Sequence, residues 1–128
     1  MIVSNFQRIV LSLAGITVLL IGGFITLEPH LFYSSYGIML GNDPDLLSEV
    51  RGPGANLAGL GALIILGLFK RTFARTSIIV AKVIFIAFPI GRLVGILADG
   101  IPSHEILTVL AIEIVIGILL FIAFRKKQ

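Results

Sequence analysis

The chain has 128 residues, 57% of them hydrophobic and 13% charged, with a formal net charge of +3 and no cysteine. This composition lies far from the soluble average, and the length bounds the chain to one domain. The missing cysteine excludes disulfides, thiolate nucleophiles and cysteine-ligated metal or iron–sulfur centres within it.

A hydrocarbon core about 30 Å thick takes roughly 20 apolar residues per helical span, so four spans would use most of the chain. The first is expected over about residues 6–28. It stops at Glu28-Pro29, because proline cannot continue a helix and restricts the residue before it. No small-x-small cleavage site follows it, and further spans come after, so it is read as a retained helix and not a secretory signal.

Residues 29–49 hold His30, Phe32, Tyr33, Tyr36, Gly37 and Gly41, a composition suited to an extracytoplasmic segment whose aromatics sit at headgroup level. Asp43 is placed to cap a new helix, with Pro44 at its first position. The second span is expected over about 50–69. It is rich in small residues such as Gly54, Ala58 and Gly61, which permit close helix contact. Pro53 removes a backbone donor there and predicts a kink or restart.

The third span, about 77–98, carries Lys82, Pro89 and Arg92, with Gly91 and Gly95 in a small-xxx-small pair; Asp99-Gly100-Ile101-Pro102 reads as a turn. The fourth, about 104–124, starts at the N-cap candidate Ser103, with Glu105 in the first turn where the helix dipole favours an acid. The expected fold class is therefore all-α, an integral membrane four-helix bundle forming a single domain over the whole chain.

Arg8, then Lys70, Arg71 and Arg75, then Arg125, Lys126 and Lys127 fall on one side of these spans; Glu28, Asp43, Asp45, Glu49, Asp99 and Glu105 fall on the other. The bases cluster at the ends of apolar runs and are not interleaved with aromatics, so they mark topology and no nucleic-acid partner is expected. By the positive-inside rule both termini are cytoplasmic and the two acidic loops outside.

Charges inside spans are costly and normally face a bundle interior or a water-filled cavity. At about 1.5 Å per residue, Arg92 and Glu113 both lie roughly 10 to 15 Å from the outer surface, which makes them candidate partners. Arg92, Gly95 or Ile96, and Asp99 share one helix face, while Glu49, Gly52 and Asn56 follow one face of the second span and Arg51 points elsewhere. Lys82 lies near the cytoplasmic end and is read as snorkelling to the interface. Glu49, Arg51, Asn56, Arg92, Asp99 and Glu113 form the candidate ligand-binding set, with Arg92 as its anion anchor. The bland alternative is a set of buried pairs that only fix helix register.

Other chemistries lack a motif. His30 and His104 have no ligand-spaced companions, so no metal is expected. Ser103 reads better as a cap than as a nucleophile, and Gly52-Pro53-Gly54 lacks the lysine of a phosphate loop. No cofactor is expected.

Ser48-Glu49-Val50-Arg51-Gly52, Gly91-Arg92-Leu93-Val94-Gly95, Asp99-Gly100-Ile101-Pro102 and Glu113 together resemble the pattern of a bacterial family of small four-span membrane proteins catalogued as a domain of unknown function. The resemblance covers nearly the whole chain. It implies that Glu49, Arg51, Arg92, Asp99 and Glu113 belong to a shared polar set and that the protein resides in a bacterial inner membrane, and it carries no activity. The chain is also similar, more loosely, to the four-helix membrane bundles called DoxX-like, which implies architecture only.

The functional expectation is a polar, charged pocket in the outer half of the bundle that binds a lipid-like or other amphipathic small molecule, in contact with membrane lipids. The alternatives are an enzyme using buried Glu113 or Glu49 as acid or base, a dimeric proton-coupled transporter, and a structural partner subunit. Gly91 and Gly95 are the candidate homodimer face.

Overall fold

A computed structural model describes residues 2–126 of the chain. The described residues form five helices in order: α1 (Asn5–Leu27), α2 (Pro29–Ser34), α3 (Pro44–Phe69), α4 (Arg71–Asp99) and α5 (His104–Ala123). All but the short α2 are long and apolar enough to cross a membrane, and the protein is an all-α, multi-pass membrane bundle.

Local sequence accounts for the helix ends. Ser4 and Gln7 form a capping box at the start of α1. Asp43 accepts from the Asp45 amide at the start of α3, with Pro44 in the first turn. Ser103 accepts from the Ile106 amide at the start of α5. Helices α3 and α4 begin six residues earlier than the expected spans at 50 and 77, because their first turns carry polar and charged residues that a hydropathy reading leaves out. Of the kink or restart expected at Pro53, the restart does not occur: α3 continues through it as one helix.

Helix α1 packs on α3, α3 on α4, α4 on α5, and α5 closes back on α1. The α1–α3 seam is the tightest. A Cβ on Gly22 would stand 2.6 Å from the Gly54 carbonyl oxygen, and one on Gly61 would stand 2.7 Å from the Leu19 Cα. Only residues without side chains let the two backbones approach this closely.

The Gln7 side-chain amide donates to the Ala123 carbonyl at 2.8 Å, so the start of α1 and the end of α5 lie at the same end of the bundle. At that end Lys82 donates from Nζ to the Phe124 carbonyl at 3.0 Å and stands 5.0 Å from the centre of the Phe121 ring. It satisfies a carbonyl left open by the end of α5.

The two halves of the bundle differ. Leu11, Ala14, Ile64, Ala81 and Leu120 are fully enclosed and pack together in the half nearer the termini. There Ser77 is also fully buried, its hydroxyl 2.8 Å from both the Leu63 and Phe73 carbonyls, which ties α4 to α3. The opposite half, toward α2 and the α4–α5 turn, is not filled in this way.

Candidate functional site

In that second half a cavity of about 750 Å³ lies between the helices, within the size range of small-molecule sites. Its walls are mostly aliphatic, with Leu57 and Leu60 from α3, Ile84 from α4, and Val109 and Ile112 from α5. The polar residues among those that line it are Thr17, Tyr33, Tyr36, Asn56, Arg92 and Glu113.

Arg92 on α4 and Glu113 on α5 form a side-on pair. Nε donates to Oε2 and Nη2 donates to Oε1, each at 2.8 Å. Two parallel charge-assisted bonds fix the relative orientation of both groups. The Glu113 side chain is 12% exposed and that of Arg92 26%, so the carboxylate is enclosed while the guanidinium keeps an open edge. The Phe88 ring lies 5.9 Å from the guanidinium carbon, at the outer limit of a cation–π contact.

The roof comes from α2 and the turn after it. Phe32 is the hub of this segment, meeting Phe24, Tyr33 and Tyr36 edge to face at centroid distances of 5.5, 5.2 and 5.3 Å. Gly37 then takes a left-handed φ of 74°, and the Ile38 amide returns to the Tyr33 carbonyl at 3.0 Å. That tight turn, which a glycine adopts without strain, leaves Tyr36 over the cavity. His30 contributes to the same segment through a 3.1 Å contact between Nε2 and the Gly41 carbonyl. Burial pushes the Tyr36 hydroxyl above its ordinary pKa; Arg92 opposes that shift and Glu113 reinforces it.

The candidate residues from sequence divide accordingly. Arg92, Glu113 and Asn56 share the cavity. Arg51 does not join them: its Nη1 donates to the carbonyls of Thr26 at 2.5 Å and Leu27 at 3.3 Å, closing the C-terminal end of α1 where the helix dipole favours a cation. Glu49 is exposed near the start of α3 and does not line the cavity.

Asp99 lies in a shallower groove between α4 and α5, together with Arg92, Gly95 and Ile96. The shared helix face read from spacing is therefore present, but it forms the wall of this groove, which meets the cavity at Ala87, Phe88, Arg92 and Ile106. Apart from the adjoining residues and backbone of α4 itself, no described residue lies within 4 Å of a Cβ built on Gly91 or Gly95.

Tyr33 and Tyr36 were missed as site residues, because interfacial aromatics and cavity-lining aromatics have the same composition. The only available signal was their place in a long connection beside a glycine able to turn the chain.

The family described as Domain of unknown function (DUF4345) matches residues 6–124. The chain belongs to this family. The DUF4345 match runs from the first turn of α1 to one residue past α5, so the ion pair and the whole cavity lie inside it. No curated protein and no solved structure matches the chain.

Proposed function

We propose that this DUF4345 protein is a membrane-embedded binding protein that holds an amphipathic small molecule drawn from the bilayer. The molecule's head meets Arg92, Glu113, Asn56 and the two tyrosines, and its apolar part lies along the aliphatic walls. The observation that carries the reading is the cavity of about 750 Å³ with one paired charge at its wall, set against a tightly packed opposite half. A bundle whose polar residues only fixed register would close around them, since unfilled volume forfeits packing energy.

In this reading the bases of the α3–α4 turn and the termini lie in the cytoplasm by the positive-inside rule, the cavity opens toward the outer leaflet, and the membrane is a bacterial inner membrane. Glu113 commits both carboxylate oxygens to Arg92. An acid–base or proton-coupled role would first have to break that pair, so the binding reading is preferred.

Native mass spectrometry with lipid extraction tests the proposal on the wild type beside Val109→Trp, which fills the cavity from α5. A discrete co-purifying species in the wild type that is lost in the variant is the expected result. Its absence from both proteins overturns the reading.

A further inference from the structure

The chemistry of the head that this cavity accepts can be read from its charge and its open hydrogen-bonding positions, given the binding role above. Among the described residues, Arg92 and Glu113 are the only charged ones at the cavity wall, and their bidentate contact cancels their charges. The adjoining groove adds one further charge, that of Asp99, which is negative.

A free carboxylate or phosphate entering the cavity would therefore meet an arginine already neutralised and a second anion behind it. In a low-dielectric site an uncompensated charge is far more costly than in water. A cationic head would meet the mirror problem, since Glu113 has both oxygens engaged.

What stays open is neutral hydrogen-bonding capacity. Among the described residues, Arg92 Nη1, the Tyr33 and Tyr36 hydroxyls and the Asn56 amide make no hydrogen bond to the protein. By chemistry these are donors from Arg92 and groups able both to donate and to accept from the other three. Oxygens of an ester, ketone or hydroxyl accept from these donors without bringing a charge into the site, and a hydroxyl also donates to the open acceptors.

We infer that the cavity selects an uncharged amphipathic molecule whose head presents carbonyl or hydroxyl oxygens, and rejects the corresponding free acid, phosphate or amine. The Arg92–Glu113 pair acts as a neutral double anchor: Glu113 orients Arg92 and removes its preference for anions.

The test uses purified wild-type protein in detergent and four probes of equal chain length: monodecanoylglycerol, decanoate, decyl phosphate and decylamine, with binding read by isothermal titration. The neutral glyceride is expected to bind at least about tenfold tighter than each charged probe, a difference of about 1.4 kcal/mol. Glu113→Gln frees the arginine charge and is expected to gain decanoate affinity by about tenfold or more, so that the ratio of decanoate to glyceride affinity rises above that of the wild type. The doubly neutral Arg92→Gln/Glu113→Gln variant checks this charge assignment and should show no such gain.

Tighter binding of decanoate or decyl phosphate than of the glyceride by the wild type would overturn the head-class inference and leave the cavity reading standing. Binding of none of the four would overturn both. The comparison among probes in the wild type stands whether or not either variant folds.

Discussion

Arg92 and Glu113, 21 positions apart on neighbouring helices, meet through two parallel hydrogen bonds of 2.8 Å in the loosely filled half of the bundle. Removing one member leaves the other charged and unpaired at membrane depth. Arg92→Ala or Glu113→Ala is expected to cost about 3 kcal/mol of stability, and the double variant clearly less than the sum. Unfolding each protein in mixed detergent with a double-mutant cycle checks this; additive losses would mean the pair is not coupled.

The α1–α3 seam gives a contrast among glycines. Gly22→Ala and Gly61→Ala push a methyl into facing backbone and are expected to destabilise the bundle by about 1–3 kcal/mol. Gly95→Ala meets open space and should stay within about 0.5 kcal/mol of the wild type. Thermal unfolding in one detergent, measured side by side, decides the order.

Arg51 and Tyr36 separate support from site. Arg51→Met removes the donor that closes α1 and should lower stability by about 1 kcal/mol while leaving monodecanoylglycerol binding unchanged. Tyr36→Phe keeps the ring contact with Phe32 but loses the hydroxyl at the cavity, and should weaken the same probe about fivefold with little loss of stability. A reversed pattern in the paired titration and melting data would place Arg51 in the site.

Tyr36 also carries a pH signature. Its hydroxyl is pushed up from the ordinary value near 10 chiefly by burial, so the fold favours the neutral phenol. The stability this contributes is fully present below about pH 10 and is lost as pH rises through the higher folded value. An alkaline titration of phenolate absorbance, taken as the difference between wild type and Tyr36→Phe, should place this tyrosine above 10; a midpoint below 10 would contradict the burial.

Because the chain has no cysteine, orientation can be read with single introduced thiols. Ser34→Cys should react with a membrane-impermeant maleimide applied outside intact cells, and Lys70→Cys only after permeabilisation. The opposite labelling would invert the proposed topology.

The four long helices and several of their caps were legible in the sequence. Apolar runs of bilayer length, proline at Glu28-Pro29 and caps at Asp43 and Ser103 act through neighbouring residues, and a fixed rise per residue places Arg92 and Glu113 at one depth before any packing is known. Rotation about each helix axis was not legible, because an apolar run looks the same from every side and only contact between helices sets which face turns inward. Tertiary packing therefore decided that Arg92 meets Glu113 and that Asp99 stays in the adjoining groove. The same packing carried Arg51 to the end of α1 and left a cavity in one half of the bundle, roofed by two tyrosines brought over it by the turn at Gly37.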